Sequence, residues 1–142
     1  MAKEKALNPQ NQEVEEEVIK TDVSQVPAEL RAKIENHIKE LIAKTGQKRI
    51  FAFVVKGDEF DDKEFYIGYF RRPNMMEYSQ YMNFWQKDPI QANYTVAQSV
   101  FIEGDREMVD DQDIFLYGTM ARIIELMNGR EAELVKTSRA TK

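Results

Sequence analysis

Two short segments limit what this chain can fold into more than anything else in it. Arg49-Ile-Phe-Ala-Phe-Val-Val-Lys56 and Glu64-Phe-Tyr-Ile-Gly-Tyr-Phe-Arg71 are rich in β-branched and aromatic residues, and a polar, Gly-led, acidic stretch (Gly57 to Lys63) separates them. That pattern predicts two strands joined as a β-hairpin. Phe51, Phe53 and Val55 alternate with Ile50, Ala52 and Val54, while Phe65, Ile67 and Tyr69 alternate with Tyr66 and Phe70, so both faces are apolar. A sheet of this kind needs cover on both sides. A lone hairpin is marginal in water and leaves two unpaired edges. The hairpin therefore has to be built into a larger fold, and its second face and edges are candidates for a partner.

The flanking sequence supplies helices. Leu30, Ile34, Ile38, Leu41 and Ile42 recur at three- and four-residue steps behind Pro27, and Gly46 supplies a stop, so a helix is expected over 27–44. His37 sits beside that stripe as a boundary residue. After the hairpin, Asn74 with Glu77 three residues on has the form of a capping box and opens a helix over 74–87, with Tyr78, Tyr81, Met82 and Trp85 aligned. Asp88-Pro89 repeats the cap-plus-proline signal and opens a helix over 89–102. An acidic loop follows Gly104, and a last helix is expected over 111–128 on the stripe Ile114, Phe115, Gly118, Ala121, Ile124 and Leu126. The expected fold class is α+β: an N-terminal helix, a two-stranded antiparallel hairpin, then a three-helix, bundle-like C-terminal part. The expected organisation is a disordered acidic leader over 1–23, a single domain over 24–130 and a basic flexible tail over 131–142.

The chain has 142 residues, no Cys and one His, which removes disulfides, thiolate nucleophiles and multi-His metal sites from consideration. The acidic stretches 58–64 and 103–111 lack the alternating oxygen ligands, central glycine and terminal Glu of a calcium loop. No serine lies in a Gly-x-Ser-x-Gly elbow, and the glycines do not form a phosphate loop. No catalytic, cofactor-binding or metal-binding residue is nominated, and no enzyme is expected. Arg71-Arg72 beside Tyr66, Tyr69 and Phe70 resembles an RNA platform only superficially, because the net charge is −5 and no RNP-type consensus is present. The longest apolar run, Ile50 to Val55, is far short of the ~20 residues that cross a bilayer. With no signal-peptide pattern at the start, a cytoplasmic protein is expected.

The −5 is unevenly placed. Residues 1–23 hold −3 of it and residues 130–142 hold +2, leaving −4 on the body. The methionine and aromatic content of 75–85 reads first as a core-facing stripe, and it also suits a soft, adaptable contact surface. The residues favoured for partner binding are Tyr66, Tyr69, Arg71, Arg72, Met75, Met76, Tyr81 and Trp85.

A strand running into Phe70-Arg71-Arg72-Pro73-Asn74, an amphipathic helix, Asp88-Pro89, and a helix ending in Phe101-Ile102-Glu103-Gly104-Asp105 resemble the tail assembly chaperones and related small proteins of tailed bacteriophages. The resemblance covers roughly 49–136. It implies a non-enzymatic factor of the host cytoplasm, made by a phage or prophage, whose partner is a tail component such as the tape-measure protein or another copy of itself as a homo-oligomer. A structural virion component or a small bacterial adaptor is the alternative. Residues 1–48 go beyond the family's core; they either cap the second face of the hairpin or bind a partner.

Overall fold

A computed structural model describes residues 26–130 and 132–140. The acidic leader expected over 1–23 lies outside the described residues. The chain divides into two units, Met1–Lys48 and Arg49–Lys142.

In the first unit, α1 spans Ala28–Thr45, one residue later at each end than the sequence reading. Pro27 is the N-cap, and its carbonyl accepts the Arg31 N–H at 2.9 Å. Gly46 ends the helix in the left-handed conformation (φ 77°), donating its N–H to the Ile42 carbonyl. Ile34 and Leu41 are the buried residues of the expected stripe.

The second unit is built on a sheet. β1 (Phe51–Lys56) and β2 (Phe65–Phe70) form the expected antiparallel hairpin, in a register that sets Phe51 opposite Phe70, Phe53 opposite Gly68 and Val55 opposite Tyr66. The acidic connection organises itself, since the Asp58 carboxylate accepts from Phe60 N and the Asp61 carboxylate from Asp58 N, both at 2.9 Å. The helices α2 (Met75–Trp85) and α3 (Pro89–Val100) follow where their caps predict them.

The sheet has a third strand, which corrects the expectation of a two-stranded hairpin with two open edges. The helix expected over 89–102 ends at Val100, and Phe101–Gly104 extends as β3, antiparallel to β2, which becomes the central strand. The connection from β2 reinforces this, because Arg71 N–H donates to the Val100 carbonyl at 3.1 Å and draws the end of α3 to the end of β2. Beyond β3, Asp105 clasps the central strand. Its N–H donates to Ile67 O at 2.8 Å and its Oδ2 accepts from Ile67 N at 2.9 Å. Gly104 sits at φ 124°, with its α-carbon so close to β2 that a Cβ there would meet the Ile67 carbonyl. The Gly-Asp break is thus a strand terminus.

The C-terminal helix is also corrected. The acidic loop after Asp105 contains a short helix, α4 (Glu107–Asp110), whose Met108 and Val109 are fully buried. After it come α5 (Gln112–Ile114), a π-helical turn (Phe115–Thr119) and α6 (Met120–Met127) in place of one regular helix over 111–128. A π turn inserts an extra residue, which turns the downstream face by about 100°. The buried set is accordingly Phe115, Thr119, Ile123, Leu126 and Met127, whereas Ala121 and Ile124 of the predicted stripe are exposed.

One face of the sheet closes the core. Tyr66 and Phe70, with Phe51, Phe53 and Val55 packed beside them, meet Val96, Ala97 and Val100 of α3, Met108 and Val109 of α4, and Ile123 and Leu126 of α6. Phe70 stacks on Phe53 with ring centroids 4.7 Å apart and meets Phe101 edge-on at 5.4 Å. The observed fold is α+β, with helices gathered on the C-terminal side of an antiparallel sheet. Residues 132–140, the described part of the expected basic tail, hold no helix or strand and are exposed.

Candidate interaction surface

Helix α2 is where the nominated residues are most nearly brought together. It starts because Asn74 and Glu77 cap it reciprocally. Glu77 N donates to Asn74 Oδ1 at 2.8 Å, and Asn74 N to Glu77 Oε1 at 2.9 Å. The same Glu77 carboxylate takes a two-pronged pair from Arg71, Nη1 to Oε1 and Nη2 to Oε2, each at 2.8 Å. Arg71 also donates to the carbonyls of Ser99 at 2.9 Å and Arg72 at 3.2 Å. One guanidinium therefore joins the end of β2, the first turn of α2 and the last turn of α3.

Hydrogen bonding from Arg71 holds the Glu77 carboxyl below its ordinary value of 4.5, burial opposing it and the backbone bond at Asn74 adding to it. Its folded value is depressed, so the stability it contributes is present above the ordinary value and lost as pH falls through the folded one. Glu77→Gln is expected to cost about 2 kcal/mol at neutral pH. It is also expected to flatten the acid limb of a plot of unfolding free energy against pH, as measured by urea melts from about pH 2.5 to 7.

The structure sorts the eight nominated side chains into three groups. Tyr66, Tyr69 and Tyr81 are buried, and the Tyr81 hydroxyl donates to Asn93 Oδ1 at 3.2 Å, while Asn93 Nδ2 donates to the Pro89 carbonyl at 2.8 Å. Arg71 is occupied as described. The Arg72 guanidinium lies 5.4 Å from the Phe51 ring centroid, with that of Arg49 at 5.7 Å from the same ring. Met75 (89% exposed), Met76 (67%) and Trp85 (46%) face outward.

Tyr78 (40% exposed), Met82 (47%) and Phe84 (36%), which were not among the nominated residues, are exposed on α2 as well. Met75, Tyr78, Met82 and Trp85 follow one another at steps of three, four and three residues and so lie along one side of α2. Tyr78 remains anchored, its hydroxyl donating to the Met127 carbonyl at 3.1 Å. Between Met75 and Trp85 the one charged residue is Glu77, which is paired within the chain. The signal that could have found this face is the scarcity of charge over eleven residues in a chain that is 32% charged. Interface centres are depleted in charge and enriched in aromatics and methionine.

Other large apolar side chains, among them Phe60, Ile90, Tyr117, Leu134 and Val135, are also exposed, but outside α2. A cleft of about 210 Å³ lies beside the hairpin loop and the π turn, with Asp58, Asp61 and Asp113 on its walls. Asp58 and Asp61 hold the loop's own backbone there. Among the described residues no group of three or more His, Asp or Glu side chains is disposed to hold a metal ion, and no helix is long and apolar enough to cross a membrane.

No family model matches this chain, and no curated protein does. Among solved structures it is similar to an uncharacterised protein of Bacillus stearothermophilus, at 21% identity and a TM-score of 0.44, over 69% of this chain and 98% of that one.

Proposed function

We propose that this chain is a non-enzymatic morphogenesis factor of a phage or prophage, working by protein–protein contact in the host cytoplasm in the manner of a tail assembly chaperone. The observation that carries the contact reading is the outward side of α2, where four large apolar side chains share one face and no unpaired charge interrupts them. A soluble monomer seldom leaves such a stripe without a use. The methionines suit it to partners of varying shape, since a thioether side chain bends and polarises where a branched one does not.

The chaperone reading draws its specific form from the sequence resemblance. Its two motifs have clear jobs in the scaffold: Phe70-Arg71-Arg72-Pro73-Asn74 joins β2 to α2 through the Arg71–Glu77 pair, and Gly104-Asp105 clasps β2. A scaffold so held presents α2 in a fixed orientation, as a contact surface requires.

The test is coexpression of the chain with the tape-measure protein encoded nearest to it, followed by purification and, separately, mass spectrometry of finished particles. The expected result is a complex during assembly and no copies in the finished virion. Stoichiometric copies in the particle would overturn the chaperone reading in favour of a structural component. Failure to form a complex, with no tape-measure gene in the neighbourhood, would favour an adaptor.

A further inference from the structure

We propose that a second copy of this chain docks on the outward stripe of α2, the two α2 helices lying antiparallel about a two-fold axis that crosses the stripe midway between Tyr78 and Met82. This rests on the reading of α2 as a contact surface and names its partner.

Four observations converge on a second copy. Met75, Tyr78, Met82 and Trp85 have the three-four-three spacing of a helix-pairing seam, so the complementary shape is another helix with the same spacing, and α2 itself provides one. The chain carries −5 overall, so two copies repel across most approaches. The stripe is a place where that repulsion is absent, because the one carboxylate of α2 is paired with Arg71 of its own chain. A two-fold contact sets a patch against itself, which a neutral patch tolerates. The same lack of Lys and Arg in α2 gives phosphate nothing to pair with, whether on nucleic acid or on an anionic lipid surface.

Direction follows from the order of side chains. With the axis midway between Tyr78 and Met82, Met75 faces the mate's Trp85 and Tyr78 faces the mate's Met82, so every methionine meets an aromatic ring. Sulfur–aromatic contacts are favourable. A parallel pairing would instead set methionine on methionine and tyrosine on tyrosine.

Area sets the strength. Met75, Tyr78, Met82 and Trp85 are 40–89% exposed. At ~200 Å² for a large side chain they leave on the order of 450 Å² per copy to bury. Two such faces reach ~900 Å², below the ~1,200 Å² of stable interfaces, so the dimer is weak and reversible.

The experiment is sedimentation of the full chain over a range of concentrations, together with cysteine cross-linking, for which a chain without native Cys is well suited. The expected result is a concentration-dependent dimer. Met82→Glu should weaken it at least ~10-fold by placing a charge in the contact, and Met75→Glu should act similarly with an unchanged melting curve. For direction, a mixture of Met75→Cys and Trp85→Cys chains should yield a mixed disulfide. Met75→Cys alone should not, because ten residues of helix separate the two positions by ~15 Å, beyond the ~7 Å limit between α-carbons. Ready cross-linking of Met75→Cys with itself would overturn the antiparallel arrangement. A monomer at every concentration, with binding of another protein still lost in Met82→Glu, would overturn self-association and keep α2 as a contact surface. A dimer indifferent to Met82→Glu would overturn both.

Discussion

Phe70→Ala is expected to destabilise the second unit by about 3–5 kcal/mol, the range for emptying a large aromatic from a close-packed core. Phe70 is fully buried at the end of the central strand, stacked on Phe53 at 4.7 Å and edge-on to Phe101 at 5.4 Å. Its removal takes a shared partner from all three strands at once, because Phe53 lies on β1 and Phe101 on β3. The melting temperature should fall by about 15–25 °C for a unit of this size, read by circular dichroism or calorimetry. Phe70→Leu, which keeps most of the volume, should lose only about 1–1.5 kcal/mol. Equal losses for the two variants would show that the site collapses freely around the missing ring and that the three strands do not depend on it.

Gly104→Ala should be nearly as damaging, for a backbone reason. At φ 124° a side chain is strained by about 1–3 kcal/mol before any contact is counted. The added Cβ also meets the Ile67 carbonyl, so β3 must move off β2. That displacement loosens the two hydrogen bonds between Asp105 and Ile67, each contributing about 1 kcal/mol, and brings the expected loss to about 3–5 kcal/mol. Gly46→Ala is the control. Gly46 also has positive φ, 77°, but nothing lies within 4 Å of a Cβ there. It should lose only about 1 kcal/mol. If both substitutions cost the same in urea melts, the close approach of β3 to β2 contributes nothing.

Much of the framework was legible in the sequence because its signals are local. Pro27 and Gly46 bracket α1, Asn74 and Glu77 cap α2, and Asp88-Pro89 opens α3, each within a residue or two of where the side chains announce it. A cap acts on the few residues next to it, so no knowledge of the rest of the fold is required. The hairpin was equally plain from its two β-branched and aromatic runs and the polar, Gly-led stretch between them, while its register came from the structure.

The candidate site was legible only in part. Met75, Met76 and Trp85 are exposed as a contact surface requires, while Tyr66, Tyr69 and Tyr81, of similar character in sequence, are buried. Along α2 the difference between Tyr78 and Tyr81 is which side of the helix meets α3, and no local rule states that. Arg71 illustrates the same gap. In sequence it is one of two adjacent cations beside aromatics, and in the fold it is committed to Glu77 and to the Ser99 carbonyl, 28 residues away.

What the sequence determined by itself, then, was the presence of α1, the hairpin, and the starts of α2 and α3, together with the absence of cysteine chemistry. Tertiary structure decided the rest. Phe101–Gly104 has the composition of a helix end, and it becomes a strand because β2 offers an open edge that Arg71 brings within reach. Residues 115–119 read as ordinary helix, and the π turn rotates the following face so that Ile123 and Met127 enter the core where Ile124 was expected. Both outcomes depend on partners distant in sequence, and burying apolar surface against such partners outweighs the local preference for a regular helix.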